Sequence, residues 1–308
     1  MNSMNHLTSH IKTLMEKVKF KKEAVLAVNA IENRLDTDKA FSEKFDKVVY
    51  DYMFNDVPMD NSLAALGKIS AEFGENVFTL NLVFLLNNTE ELFNRYKKEG
   101  KSEEIYWDTM EDFRCKLLEC MECEGVPGLF VPSWYNGFFK MTRFALGRFQ
   151  YEVSKFEHEG GYTTKNGHFL EDGSPIINFH IPSSGVSLVD EIRFDSYKKA
   201  FAFYKHLFGG DKIVMCCNSW LLYPEQEKFL PKNSNILRFL RDFEIVYSKE
   251  KDDFGDAWRI FGKHADLPPE QLPRDTTLRK AYADWMSAGN NTGAGYGVIV
   301  FDGEKIIT

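Results

Sequence analysis

The chain has 308 residues, with 38 basic against 46 acidic side chains for a formal charge of −8, 44% hydrophobic residues, and 27 Phe, 13 Tyr and 5 Trp. That length carries one large domain or two ordinary ones; the apolar and aromatic content excludes a disordered polyampholyte, and the acidic balance argues against a broad nucleic-acid footprint, which needs clustered Lys and Arg. No apolar run approaches the ~20 residues that span a bilayer: the best, Val77 to Leu86, contains Thr79 and Asn81, and the start, MNSMNHLTSHIKTLMEKV, lacks a hydrophobic signal core. The expectation is a cytoplasmic protein with no nucleic-acid and no membrane partner.

Residues 1–125 hold four Gly and one Pro, and residues 126–308 hold 17 Gly and nine Pro. Gly and Pro punctuate turns and are costly inside helices, so a helical domain is expected over 1–125 and a strand-rich one over 126–308. The charge divides at the same place: 16 basic and 23 acidic residues (net −7) before it, 22 and 23 (net −1) after it. In the first part Ala24, Val25, Val28, Ile31 and Leu35 recur at helical spacing, as do Phe41, Phe45, Val48, Val49 and Tyr52. A third helix follows Asp60–Ser62 through Leu63, Leu66, Ile69 and Phe73, and Glu75–Lys98 and Ser102–Cys123 complete a five-helix bundle. Cys120 and Cys123 form a lone CxxC on a helical pattern, with no second pair; with Cys115 they read as small apolar residues, and no metal is expected, while Cys216 and Cys217 point opposite ways from a strand, so at least one of them is core.

In the second part GRFQYEVSKF (147–156) reads as a strand, with Phe149, Tyr151 and Val153 on one face and Arg148, Gln150 and Glu152 on the other. Asn166-Gly167 and Asp172-Gly173 mark turns, and PIINFHIP (175–182) is the next strand. After the loop Pro182–Val186, Ser187-Leu188-Val189-Asp190 has capping-box form and opens a helix that runs to Gly209-Gly210. KIVMCCNSWLLYP (212–224) is a buried strand, a short helix covers Asn235–Phe243, EIVYSK, AWRIFGK and GYGVIVFD read as strands, and Thr276–Ala288 reads as a helix. Strand 175–182, helix 188–208 and strand 213–223 make a βαβ unit, so those strands should be parallel and the rest mainly antiparallel. The fold class is α+β: a helical N-terminal bundle followed by a mixed β-sheet with flanking helices.

The stretches TRFALGRFQYE (142–152), INFHIPSSG (177–185), CNSWLLYP (217–224) with NSNILRF (233–239), and TTLRKA (276–281) resemble an uncharacterised bacterial acyltransferase-domain family. That family joins a helical N-terminal domain to a GNAT-like N-acyltransferase C-terminal domain. The resemblance implies an acyltransferase using acyl-CoA as co-substrate and a small-molecule acceptor. It implies that Ser183, Ser184, Gly185, Val186 and Ser187 present backbone N–H groups to the CoA pyrophosphate at a helix N-terminus. Cys217, Ser219 and Trp220 should lie near the gap that takes the pantetheine. The superfamily signature Q/R-x-x-G-x-G/A is incomplete here: the matching segment has one Gly, no aligned Arg or Gln, and a Pro in front.

Aminolysis of a thioester needs a base, an oxyanion donor and a proton for the leaving thiolate. Glu152 and His180 are the candidate bases, with Arg148, Gln150 and Asn178 beside them for substrate if the two strands pair with polar faces coincident; Tyr247 is the candidate proton donor. The alternative is a GNAT-shaped binding protein without catalysis. His206 and Asp211 have the H-x-x-x-x-D spacing of glycerolipid acyltransferases without the accompanying motifs, and no G-x-S-x-G elbow exists for a serine hydrolase.

Overall fold

The computed structural model describes residues 7–308, and the chain divides into two compact units, the first ending at Thr142 and the second spanning Arg143–Thr308. The first unit holds α1 (Ser9–Lys17), α2 (Lys22–Thr37), α3 (Lys39–Phe54), α4 (Met59–Phe73), α5 (Val77–Asn87), α6 (Thr89–Lys98), α7 (Glu103–Met110), α8 (Asp112–Cys123) and the single turn α9 (Asn136–Phe139). Side-chain oxygens of Thr8, Asp38, Asn76 and Ser102 accept first-turn amides of α1, α3, α5 and α7. Helix α5 has no polar face: Leu80 and Leu82–Leu86 are all fully buried, so it is the central helix of the bundle.

Two of the five expected helices are each broken in two. The break within 75–98 falls at Asn88, whose Nδ2 donates to Phe84 O (2.7 Å) while the Thr89 hydroxyl donates to Leu86 O (2.6 Å). These side chains compete with the backbone for the carbonyls that would continue α5. The break within 102–123 is the single turn residue Glu111. Residues 127–129 bond back onto α5, through Leu129 N–H to Phe78 O (2.9 Å), the Thr79 hydroxyl to Pro127 O (2.8 Å) and Asn81 Nδ2 to Leu129 O (3.3 Å). The turn-rich stretch after Gly125 therefore starts inside the helical unit. Burial pushes the Cys115 and Cys120 thiols up to about 12, so both stay protonated packing groups.

The second unit contains β1 (Arg143–Leu146), β2 (Phe149–Lys155), β3 (Tyr162–Thr163), β4 (Phe169–Leu170), β5 (Pro175–His180), α10 (Asp190–Tyr204), β6 (Ile213–Ser219), α11 (Gln226–Phe229), α12 (Asn235–Leu240), β7 (Glu244–Lys251), α13 (Trp258–Phe261), α14 (Thr277–Ser287) and β8 (Thr292–Phe301). Six strands form one sheet in the order β1-β2-β5-β6-β8-β7, and β3 and β4 form a separate hairpin. Only β5 and β6, joined through α10, are parallel.

One face of the sheet carries Phe149, Tyr151 and Phe179 against α10, where the Tyr151 hydroxyl meets Ser196 Oγ at 2.9 Å and the Phe149 and Tyr197 rings stack at 5.8 Å. The opposite face buries Phe156, Leu170, Ile176, Val214, Cys216, Tyr296 and Val298 as a second core, which takes Leu170 from the β3–β4 hairpin. Gly147 at φ +74°, with Arg148, makes the β1–β2 turn, so the expected strand over 147–156 starts at Phe149. The strand expected over 212–224 stops at Ser219, whose Oγ accepts Leu221 N–H (3.2 Å) to start a 3-10 turn.

AWRIFGK is not a strand. Phe261 N–H bonds to Ala257 O (2.8 Å), and Gly262 at φ +57° ends the turn. Its apolar run is too short for periodicity to separate helix from strand.

Candidate active site

Antiparallel pairing of β2 with β5 sets Gln150 opposite His180 and Glu152 opposite Asn178. Directly opposite residues share a face, so these four side chains stand together on the sheet face away from α10. Pairing of β1 with β2 adds Arg143 opposite Glu152. Glu152 accepts from His180 Nε2 at 2.7 Å, from Arg143 Nε and Nη2 at 3.1 and 3.2 Å, and from Asn178 Nδ2 at 3.5 Å. Burial alone would raise the Glu152 carboxyl, but the His180 bond and the Arg143 charge outweigh it and hold the group below its ordinary value. Glu152 is thus an ionised acceptor, and a carboxylate at Nε2 favours the imidazole tautomer whose proton sits there, leaving Nδ1 as the basic nitrogen.

Gln150 is buried beside this group. Arg148 departs from the expected polar row: it lies in the β1–β2 turn and donates to Pro182 O (2.9 Å) and Val186 O (3.1 Å). It braces the loop that contains Ser183, Ser184, Gly185, Val186 and Ser187. In that loop Gly185 takes φ +76° and Ser184 Oγ accepts Val186 N–H (3.3 Å). Ser187 does not cap the helix. Its Oγ accepts Asn235 Nδ2 (2.9 Å), and α10 starts at Asp190 behind Val189 without any side-chain cap. First-turn amides have no intrahelical acceptor, yet Asp190 and Glu191 already place two carboxylates at that positive end. Buried Arg193 anchors the turn through Asp190 (3.0 Å) and a bidentate pair with Asp242 (2.6 and 2.9 Å).

Strands β5 and β6 pair only at Ile177/Met215 and Asn178/Cys216, after which β6 continues through Cys217, Asn218 and Ser219. The sheet therefore opens beside His180, at the C-terminal ends of its two parallel strands. Alternation puts Cys216 on the Glu152–His180 face and Cys217, which is 1% exposed, on the face covered by helices. Cys216 shares a buried cluster with Tyr296, and burial pushes its thiol up to about 12. Ser219 is engaged in its turn, and Trp220 packs edge-on against Phe254 and Tyr282 at 6.1 and 5.6 Å, in a cluster of aromatic rings.

Tyr247, 42% exposed, pairs with Tyr296 and rests against His158. It stands three strand spacings from β5, about 14 Å. The sequence pattern does not single out Arg143 or Tyr296 for the site, and it leaves open which of Cys216 and Cys217 faces it. The register that brings them in depends on β1, a four-residue strand, and on which residue of a Cys-Cys pair faces which way.

Residues 9–141 match the N-acyltransferase N-terminal domain, and residues 144–299 match the GNAT-like C-terminal domain. Among solved structures the chain is similar to an acyltransferase in complex with decanoyl-CoA and teicoplanin (TM-score 0.71, 18% identity, covering 96% of this chain and 88% of that one). It is also similar to an acyltransferase mutant in complex with octanoyl-CoA (TM-score 0.70, 17% identity, 96% and 88%), and to an acyltransferase in complex with CoA and 10C-teicoplanin (TM-score 0.70, 17% identity, 94% and 87%). At these identities the likeness shows a shared fold. No curated protein matches the sequence. With both of its units matched in order, the chain belongs to the acyltransferase family that joins an N-acyltransferase N-terminal domain to a GNAT-like C-terminal domain.

Proposed function

We propose that the protein is an acyl-CoA-dependent acyltransferase that moves an acyl group from a CoA thioester to a small amine or hydroxyl acceptor. The observation that carries this reading is the Glu152–His180 pair beside the opening between β5 and β6, in a chain of this family. His180 Nδ1 takes the proton as the acceptor's nitrogen or oxygen attacks the thioester carbonyl. The tetrahedral oxyanion is met by backbone N–H groups of β6 beyond Cys216. The C–S bond then breaks, and the proton held on His180 passes to the departing thiolate. Glu152 keeps the imidazole in its tautomer and balances the imidazolium. Tyr247 is not needed for this cycle. CoA enters with its pyrophosphate at the Ser183–Ser187 loop, braced by Arg148, and its pantetheine along the opening.

The structural relatives hold octanoyl- and decanoyl-CoA, which makes medium-length acyl groups the first donors to try. Free cysteines throughout agree with a reducing bacterial cytoplasm. The carboxylates of Asp190 and Glu191 favour the second reading, a binding protein without turnover, because they oppose an anion at α10.

Thermal-shift measurements with acetyl-, octanoyl- and decanoyl-CoA test the cofactor. Stabilisation that grows with concentration is expected, and no shift with any of them at millimolar concentration would remove CoA from the proposal. Release of free thiol dependent on an added amine separates catalysis from binding.

A further inference from the structure

Residues 1–125 carry a net charge of −7, yet one cavity among them is ringed with cations. It holds about 470 Å³ and lies among the end of α1, the turn into α2 and the start of α8. Lys17, Lys19, Lys21 and Arg114 line it against a single carboxylate, Glu111, with Leu118 on the wall. Glu111 is taken up by Arg114, whose Nε donates to it. The three lysines are exposed, and among the described residues none of them forms an ion pair; the carboxylates of Glu16 and Glu23, nearby in the chain, pair with none of them. Lys17 Nζ rests 4.9 Å over the Trp107 ring, which holds it at the rim. Like charges gathered this way repel, and an anion shared among them removes the repulsion.

The backbone at Lys19 is a second, separate observation. Helix α1 closes with Lys19 N–H on Glu16 O (3.1 Å) and Phe20 N–H on Met15 O (2.9 Å), the Schellman pattern. Its left-handed position usually takes Gly, because a Cβ is crowded there. Here it takes Lys, at φ +56°. Gly would close the helix without that steric cost, so what the position retains is the lysine side chain at the cavity, and strain of this kind collects at ligand clamps.

We propose that this cavity binds an organic diphosphate, with the phosphate oxygens shared among Lys17, Lys19, Lys21 and Arg114 and the group they carry lying against Leu118. Four cations against one carboxylate leave three positive charges on the lining, and a diphosphate ester brings about three negative ones. The volume falls within the roughly 300–1,000 Å³ usual for small-molecule sites. This site belongs to the helical unit and does not depend on the acyl-transfer reading or on the Ser183–Ser187 loop.

Amine-acylation footprinting of the full chain, read lysine by lysine by mass spectrometry, tests it with inorganic pyrophosphate, ADP and geranyl diphosphate as probes. Pyrophosphate should protect Lys17, Lys19 and Lys21 together and saturably, while Lys22, exposed but outside the lining, goes on reacting. Tighter protection by ADP identifies the carried group as a nucleoside, and tighter protection by geranyl diphosphate identifies it as a hydrocarbon. Read at Lys17, Lys19→Gln and Lys21→Gln should each raise the half-saturating pyrophosphate concentration about fivefold, the loss of one exposed charge contact. Lys19→Gly should weaken binding equally, with a melting temperature at or above that of the wild type, which separates the lost cation from a folding defect. Undiminished labelling of the three lysines with all three probes at millimolar concentration, or wild-type affinity in Lys19→Gly, overturns the proposal.

Discussion

Replacing Glu152 with Gln keeps the shape of the side chain and removes its charge, so it isolates the carboxylate's contribution. The wild-type group accepts from His180 at 2.7 Å and from two nitrogens of Arg143 at 3.1 and 3.2 Å. A Gln amide cannot reproduce both. If its oxygen turns to His180, its NH2 opposes the Arg143 donors. If its oxygen turns to Arg143, its NH2 donates to Nε2 and forces the imidazole proton onto Nδ1, which then cannot accept one. Misorienting a general base in this way costs about 10²- to 10³-fold in kcat, or ~3–4 kcal/mol of barrier. The KM for acyl-CoA should stay within about threefold, since Glu152 acts through His180 and not on the donor.

The same substitution strips Arg143, whose side chain is 12% exposed, of its counter-ion; the pair is only partly buried, so the cost in stability is about 1–2 kcal/mol. Because the folded-state carboxyl is held below its ordinary value of 4.5, its contribution is fully present above that pH and disappears as pH falls through the folded value. The assay is thiol release from octanoyl-CoA with an amine acceptor, with urea unfolding at pH 7 alongside. A kcat within twofold of wild type in a folded variant would refute the roles assigned to Glu152 and His180 together.

Arg148→Met removes both bonds that hold Pro182–Val186 and should raise the KM for acyl-CoA about three- to tenfold with little change in kcat; an unchanged KM in steady-state kinetics would show that the loop does not meet the donor. Arg193→Met leaves Asp242, whose side chain is 10% exposed, with the Tyr197 hydroxyl as its remaining side-chain donor, and breaking a largely buried pair of this kind costs about 3 kcal/mol, read by urea unfolding. Burial of Glu32 raises its carboxyl to about 7, so between pH 4.5 and 7 the folded chain holds a proton that the unfolded chain has lost, and stability falls as pH rises through that window. The shift from 4.5 corresponds to about 3 kcal/mol in all, and Glu32→Gln should remove the part expressed between pH 5 and pH 8, about 2 kcal/mol, from the difference in unfolding free energy between those two values; an unaltered pH dependence would show that Glu32 is not its source.

Much of the second unit is written in its sequence. The βαβ unit follows from strand 175–182, a helix closed by Gly209-Gly210 and a buried strand. Once β2 and β5 were expected to pair, Glu152 and His180 had to be considered together, because a period-2 pattern puts their polar faces in step. What the sequence hid were features decided by single residues in three dimensions. Arg143 sits on a strand too short to read. Cys216 and Cys217 exchange roles with one step of register. Ser187, followed by residues that suit a cap, is pulled away by Asn235. In the first unit Asn88 divides a helical pattern because its amide finds a carbonyl of the preceding turn, and side-chain periodicity carries no information about that.

The brief pairing of β5 with β6 has a consequence for motion. The sheet is in effect two three-stranded blocks, β1-β2-β5 and β6-β8-β7, stitched at Ile177/Met215 and Asn178/Cys216 and bridged by α10. Inter-strand hydrogen bonds are dense within each block and sparse along the stitch. Local opening follows the fewest bonds lost, so amide exchange should be fastest at this line through the middle of the sheet and not only at its rims. A molecule lying in the opening would close it like a seventh strand, and the slowing of exchange on both sides would record its presence without any turnover.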